Sequence, residues 1–450
     1  MSYWQQHVTR MDGQTARAPY NFVPPPARVF TPSDQALYGS GGRPQYDEFR
    51  EGLYTGYFDC TVTALTHLYI RGPRRSRKDR ESRLRPEFYA IDPGGAPVLP
   101  GSSLRGAVRA LYEALTFSMV QPVNTDRCGG EVPEGGKPAD FLAPPDLNTR
   151  PPEGSVPDLA TRVFGGLSDK KQGCIWDREQ IRGRVRFTNA QYEGGHDDPY
   201  VGIVIVPRLL LSPHPSSYRM YLAQTSEERD DRRTYALKRS GGTQIRGAKF
   251  YWHKWNDERG LCAVQEQEGH TALLADLQSK NPKDKTHTVM RCVKAGSKFR
   301  FQVHFHNLAD VELAALRMVL SLGDKHGLKV GMGKPLGLGS VRIAADLYTI
   351  DLRRRYGAWE SAADLMPRIQ FGPLTTRFVS EVLDHCRDTD ECPQDCRTLK
   401  DVPRLRELFT LLEASTPDKL GAVDYMYGPA TGVLPLASKV FTNKRKPLSP

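Results

Sequence analysis

The most constraining feature of the sequence is a strict alternation over residues 299–306. Every second side chain is apolar, and the positions between them carry the polar or cationic side chains of Arg300, Gln302, His304 and His306. A period of two predicts a β-strand with one face on a core and the other open to solvent. Leucines at helical spacing then predict a helix over about 310–322, so this segment forms a strand–helix unit.

A second strand–helix unit lies earlier in the chain. Alternating apolar residues predict a strand within 57–70, and a helix over 102–117 follows a basic segment. The apolar stripe of this helix, which must face a core, consists of Leu104, Val108, Leu111 and Leu115. Two such units with a polar, basic open sheet face predict an α+β fold built on a ferredoxin-like or RNA-recognition-like layer.

Shifts in composition divide the 450-residue chain. Residues 1–50, rich in Pro, Gly and Gln, are typical of an irregular N-terminal extension that wraps over a surface. Residues 51–345 hold both strand–helix units, with insertions near 122–157 and 213–290. Residues 346–450 are mostly helical in pattern.

The charge of the chain bounds its class of partner. There are 63 Lys and Arg against 52 Asp and Glu, a formal net charge of +11, and eight of the fifteen residues 71–85 are Lys or Arg. This excess indicates a polyanionic partner, most simply nucleic acid. No apolar run reaches membrane-spanning length and the N-terminal residues lack a signal-peptide pattern, so we expect a cytoplasmic protein without membrane contact.

The start of the helix at 102–117 is a candidate phosphate site. We expect the hydroxyl of Ser102 or Ser103 to cap the helix, and Arg105 and Arg109 lie one helical turn apart beside that end. Free backbone N–H groups next to two guanidiniums suit a phosphate. An ordinary amphipathic helix with two solvated arginines explains the same residues.

A glycine-rich loop at 331–339 is a second candidate. It is not a nucleotide-hydrolysing Walker loop, because Lys334 is followed by proline and the loop runs from a helix into a strand. A tight backbone with exposed N–H groups can still lie against phosphates, and a plain strand-entry turn is the alternative. The candidate contacts are Gly331, Gly333, Lys334 and Gly337.

A short strand at 181–187 adds two more cations. Its alternation points Val185 and Phe187 to one face and Arg184 and Arg186 to the other. We therefore expect both arginines on an exposed face that nucleic acid can reach.

The eight cysteines divide into two groups. Five are isolated, as in a reduced cytosolic protein. The other three lie with a histidine in one short segment, and these side chains could close a tetrahedral zinc site, although the paired C-x-x-C spacing is absent. The predicted structural zinc ligands are His385, Cys386, Cys392 and Cys396.

Three stretches together resemble one family. Residues 99–106 (LPGSSLRG), 162–190 (RVFG…RGRVRFTNA) and 331–340 (GMGKPLGLGS) are similar to the RAMP superfamily of CRISPR-associated proteins, in the order found in backbone subunits of type III effector complexes. Residues 18–24 (APYNFVP) resemble a larger branch of it. The resemblance implies a modified ferredoxin-like (RRM-type) core that binds guide RNA through its backbone and assembles beside related subunits. It would place the two candidate sites next to RNA phosphates.

The resemblance also raises the question of catalysis. In target-cleaving members, an aspartate in the loop before the Pro-Gly-Ser-Ser motif supports metal-dependent cutting of target RNA. Aligning Asp92-Pro93 with that family's second aspartate puts the catalytic position at about Pro86, next to Glu87, which departs from the pattern. Asp79 and Asp92 are alternatives, since a carboxylate is needed to hold Mg²⁺ or orient the nucleophile, although Asp92 is also a typical turn former.

The leading hypothesis is therefore an antiviral RNA-binding structural subunit, with guide RNA, target RNA and other RAMP and CRISPR effector subunits as partners. A metal-dependent endoribonuclease using Glu87 or Asp79 is the alternative, and metal-free cleavage by His304 or His306 is a further one. A protein scaffold whose basic surface only aids solubility is the third.

Overall fold

The structure is a computed structural model, and the architecture rests on the parts of the chain that it describes. These are residues 18–32, 44–72, 88–92, 95–118, 157–166, 181–195, 197–201, 206–207, 221, 223, 246–253, 262–263, 290–357 and 372–414. Asp79, Glu87, most of the basic segment 71–85 and most of both predicted insertions lie outside the described residues.

The strands form one large antiparallel sheet and two small ones. The large sheet has the order β10-β11-β2-β9-β5-β3, with β4 also paired to β9, while β1 pairs with β7 and β6 with β8. The strands are β1 Tyr20–Val23, β2 Tyr54–Ala64, β3 Val98–Leu99, β4 Val185–Phe187, β5 Ala190–Tyr192, β6 Val206–Pro207, β7 Ala248–Tyr251, β8 Cys262–Ala263, β9 Lys298–Leu308, β10 Leu328–Lys329 and β11 Ser340–Thr349.

Six α-helices lie in the described part of the chain. They are α1 Gly101–Leu115, α2 Leu159–Phe164, α3 Asp310–Leu320, α4 Leu352–Gly357, α5 Gly372–Asp388 and α6 Pro403–Leu412. None of the helices in the described ranges is long and apolar enough to span a membrane. Strands and helices are mixed along the chain around an antiparallel sheet, which confirms the predicted α+β class.

The core lies on one face of the two central strands. The alternation predicted over 299–306 is confirmed, since Phe299, Phe301, Val303 and Phe305 are buried and β9 extends the strand to 298–308. The predicted helical stripe is confirmed as well: Leu104, Val108, Leu111 and Leu115 are all buried in the same cluster. The opposite face of β2 and β9 remains partly open to solvent.

The chain after residue 345 joins the same core. β11 continues to Thr349, because its pairing with β2 runs on from Ala345↔Cys60 to Thr349↔Gly56. The helical pattern therefore begins after the strand, at α4. Apolar side chains of α5 and α6, among them Phe378, Val382, Leu405 and Leu408, are buried in the main hydrophobic cluster.

The N-terminal segment 18–32 is ordered by distant partners. Within it, β1 pairs with β7, a strand from the predicted insertion at 213–290. Arg404 Nε donates to the carbonyl of Pro24 at 2.7 Å, and the amide of Ala27 donates to Glu391 Oε1. The described part of the extension is thus held against the C-terminal helices, and it includes a strand that the sequence did not predict.

Candidate nucleic-acid interface

The start of α1 is capped from another part of the chain. The helix begins at Gly101 and its N-cap is Pro100, so Ser102 and Ser103 lie inside the first turn and neither caps the helix. The amide of Gly101 instead donates to Asn189 Oδ1 at 2.9 Å. The predicted serine cap is wrong, because the helix already begins at Gly101 and both serines lie within it. Ser102 is exposed and Ser103 half-buried at this end.

Arg105 and Arg109 bind the end of a neighbouring helix. Arg105 Nη2 donates to the carbonyl of Phe164, and Arg109 Nη1 donates to that of Gly165 at 3.2 Å. Both cations thereby meet the negative end of α2. Burial, and then the charge of Arg109, lower the pKa of Arg105. Their contact with RNA stays a prediction, and a phosphate there would compete with these carbonyls.

Arg184 does not share the exposure of Arg186. β4 begins only at Val185, so Arg184 precedes the strand and its side chain lies in the core, where Nε donates to the carbonyl of Arg162 at 3.0 Å. The prediction that Arg184 lies on an accessible RNA-binding face is therefore wrong. Arg186 is exposed, as the alternation predicts.

Arg184 belongs to a buried ionic cluster that joins three elements. Glu312 Oε1 accepts from Arg162 Nε at 3.0 Å and from Arg184 Nη2, and Glu312 Oε2 accepts from the amide of Ala309 at 3.0 Å. We call Arg162, Arg184 and Glu312 the Glu312 cluster. All three side chains are fully buried, so the charges are removed from water together. The cluster fastens α2 and the start of β4 to the first turn of α3.

The glycine-rich loop 331–339 connects two paired strands. It follows the short strand β10, which pairs with β11, so the expectation that it follows a helix directly is wrong. Gly331, Gly333, Gly337 and Gly339 all have positive φ. A Cβ on Gly339 would lie 2.0 Å from the carbonyl oxygen of Val330, so this close approach requires glycine.

Most amides of the glycine-rich loop are already bonded inside the protein. Met332 N and Gly339 N donate at 2.8 Å to the carbonyls of Tyr69 and His67, and Leu336 N donates to that of Gly333. Lys329 Nζ donates to two loop carbonyls. The expected row of exposed amides is therefore reduced. Among the amides of this loop, those of Gly331, Gly333 and Lys334 donate no hydrogen bond to a described residue.

Lys334 is the cation of this loop. It begins a short 3₁₀ turn, Lys334–Leu336, and is half-buried. Burial lowers its pKa, and no carboxylate of the described residues lies within ion-pair distance of it. A phosphate placed beside Lys334 and the neighbouring amides would supply the missing negative charge. The loop therefore leaves Lys334 and a few amides as candidate contacts for an anion, and their contact with RNA stays a prediction.

The open sheet face carries an aromatic row that the sequence did not single out. The registers place Tyr348 opposite Tyr57, Tyr57 opposite His304, and His304 opposite Arg186. We call these four side chains the aromatic row. Tyr57 and Tyr348 occupy solvent-facing positions of their strands, which is the local signal that could have found them; their adjacency depends on the register.

The carboxylates proposed for catalysis have little support from the described residues. Asp92 is exposed and its carbonyl accepts from the amide of Gly95 at 3.1 Å, as in a turn. Asp79 and Glu87 lie outside the described ranges. His304 is exposed and His306 half-buried on the open face; burial and then nearby arginines lower the pKa of both imidazoles.

The four predicted zinc ligands do not converge. His385 lies between the rings of Phe30 and Phe117, and its Nε2 is 3.2 Å from the carbonyl of Arg28. Cys386, Cys392 and Cys396 are buried near one another, and burial raises the pKa of the Cys392 thiol to about 12. In the described part of the chain, no three His, Cys, Asp or Glu side chains form a metal-binding group. Zinc binding by these four residues stays a prediction.

Comparison with known proteins places this geometry in a family. A family model described as the RAMP superfamily matches residues 61–342, from β2 through the glycine-rich loop into β11. The chain therefore belongs to the RAMP superfamily. A solved chain from a structure titled "Type IV-B CRISPR Complex" is similar at 15% sequence identity and a TM-score of 0.28, covering 64% of this chain and 90% of that one. No curated protein sequence matches the chain.

Proposed function

We propose that this protein is a structural subunit of a type III CRISPR effector complex and holds guide RNA by its phosphate backbone. Membership of the RAMP superfamily and a net charge of +11 support this role. The motifs at 99–106, 162–190 and 331–340, which resemble type III backbone subunits, supply the subtype.

The proposal includes a modified ferredoxin-like core. In the sheet, the strands lie in the order β11-β2-β9-β4/β5. Along the chain, α1 lies between β2 and β4, and α3 lies between β9 and β11. These elements form two strand–helix–strand units in one antiparallel sheet. This is the connectivity of a split βαβ layer. In such a layer the helices cover one face, which leaves the other face and the connecting loops for RNA.

The observation that carries the proposal is the setting of Lys334. Lys334 is half-buried in the glycine-rich loop, beside amides that donate no bond to the described residues. A cation desolvated in this way, with no carboxylate at hand, is stabilised by a bound anion. A backbone phosphate fits, because its contacts need no particular base.

The test is a salt titration of RNA binding by the full chain. Fluorescence anisotropy with single-stranded RNA at several salt concentrations should give an affinity that falls steeply with salt. Lys334→Met should weaken binding and reduce the slope of log K against log salt by about 0.7, the value for one phosphate contact on a single strand. Lys325→Met is the matched control, because Lys325 is an exposed lysine in the turn before β10.

Three results are decisive. An unchanged affinity and slope for Lys334→Met would remove the loop from the binding surface. Absence of salt-dependent RNA binding in the unaltered protein would favour the scaffold role instead. Equal losses in Lys334→Met and Lys325→Met would show a general charge effect without a site. Mg²⁺ belongs only to the cleavage hypothesis, which no observation on the described residues favours.

A further inference from the structure

The aromatic row crosses four neighbouring strands at one level of the sheet. The Tyr57 and Tyr348 rings are stacked, with centroids 5.0 Å apart and an interplanar angle of 17°. The Tyr57 and His304 rings lie 5.8 Å apart, and Arg186 is directly opposite His304 across the β4–β9 pair. The two tyrosines are half-buried and the last two side chains exposed. A row of aromatic side chains that ends in a guanidinium therefore lies on the open face of the sheet.

The β4 end of the row is positive, whereas its β11 end adjoins the exposed Asp346. Arg182, just before β4, is exposed, and its carbonyl accepts from the hydroxyl of Tyr46, whose ring lies 6.3 Å from that of His306. Within the described ranges, no carboxylate lies within ion-pair distance of Arg182 or Arg186. Asp59, one residue pair further along β2, is bonded to Arg300 at 2.5 Å. The β4 end of the surface thus places aromatic side chains beside two arginines, Arg182 and Arg186, that have no carboxylate of the described residues within ion-pair distance.

We propose that the aromatic row stacks the bases of single-stranded RNA, with Arg186 and Arg182 beside the adjoining phosphates. Every base has a π-face, so stacking suits a guide whose sequence varies. The inference rests on the proposed function and adds a base-contacting surface to it. This surface is distinct from the glycine-rich loop: Tyr348 lies nine residues along β11 from Gly339, about 30 Å at the usual rise of a strand.

The experiment compares two ligands that have equal phosphates and differ in bases. The full chain is titrated with a single-stranded oligouridylate and with an abasic ribose–phosphate oligomer of the same length, at one salt concentration. We expect the base-bearing RNA to bind at least about tenfold more tightly. Tyr348→Leu and His304→Ala should each remove most of that preference while leaving the affinity for the abasic oligomer unchanged.

A matched control and a second variant keep the test sharp. Tyr356→Leu removes a tyrosine that is 80% exposed on α4 and is not a member of the row, and should alter neither affinity. His304→Ala changes an exposed side chain, so it tests the row even if Tyr348→Leu does not fold.

The outcomes separate this inference from the proposed function. Equal affinity of the unaltered protein for both oligomers, or a base preference that survives in both row variants, overturns base stacking and leaves the row as a surface for protein contact. RNA binding through Lys334 stands in either case. Failure of the unaltered protein to bind either oligomer overturns both proposals.

Discussion

Three arginines at alternate positions, Arg182, Arg184 and Arg186, have opposite surroundings. Arg182 is exposed beside the aromatic row and Arg186 is exposed within it, whereas Arg184 is fully buried against Glu312. The spacing alone would give all three one exposed face. The difference arises because β4 begins after Arg184, and because the buried carboxylate of Glu312 on α3 accepts a hydrogen bond from Arg184. Residue type and period do not set the role of a cation here; its partner does.

The buried Glu312 cluster should contribute more to stability than the two exposed arginines. Replacing Glu312 with Gln leaves two fully buried guanidiniums without their carboxylate, and breaking a buried ion pair costs about 3–5 kcal/mol. Urea denaturation of Glu312→Gln should show a loss of that order in the free energy of unfolding. Glu381→Gln, which breaks an i,i+4 pair with Arg377 on α5, is the control and should cost at most about 1 kcal/mol. A loss within the control's range would contradict the structural role of the Glu312 cluster.

Arg105 is less buried than Arg184 and less exposed than Arg186, so its replacement should have an intermediate effect on the free energy of unfolding. It is half-buried and donates to the carbonyl of Phe164 while covering that ring. Arg105→Met keeps much of the apolar stem but removes the charged hydrogen bond, so we expect a loss of about 1.5–3 kcal/mol in the free energy of unfolding. Thermal or urea denaturation measures it. A variant as stable as the unaltered protein would show that Arg105 is free for RNA.

Loss of the exposed Arg186 should weaken RNA binding and leave the stability of the fold almost unchanged. Arg186→Met removes an exposed cation, so the free energy of unfolding should change by no more than about 0.5 kcal/mol. RNA affinity should fall, and the salt slope should decrease by about 0.7, as for the loss of one phosphate contact. Anisotropy titration and urea denaturation on the same sample decide the point. A destabilised Arg186→Met variant with normal RNA affinity would erase the contrast with Arg184.

The predictable part of the fold is its local periodicity. The burial of Leu104 and Leu111, like the alternation along 298–308, depends on neighbours two to four residues away. The α+β class could be predicted from this periodicity, because two strand–helix units leave few ways to cover one sheet. The glycine-rich loop was found because positive φ leaves a signature in composition.

The features that the sequence did not show depend on distant partners. The cap of α1 comes from Asn189, and the burial of Arg184 depends on Glu312, which is 128 positions away. The stacking of Tyr57 on Tyr348 follows from strand register. His385 adjoins the cysteines in sequence but lies against the N-terminal segment, with its Nε2 at the carbonyl of Arg28. Each of these needs tertiary contacts that no local pattern encodes.

The docking of residues 18–32 has a consequence for biosynthesis. Their hydrogen bonds with residues 385–404 join positions 357 to 380 apart in sequence. On the ribosome β1 can pair with β7 once residue 251 has emerged, but Pro24, Ala27 and Arg28 must wait for α5 and α6. Contacts of such long range form slowly, and the waiting segment exposes apolar side chains such as Phe30. The nascent chain therefore passes through a stage in which the segment 18–32, although made early, is among the last to be covered.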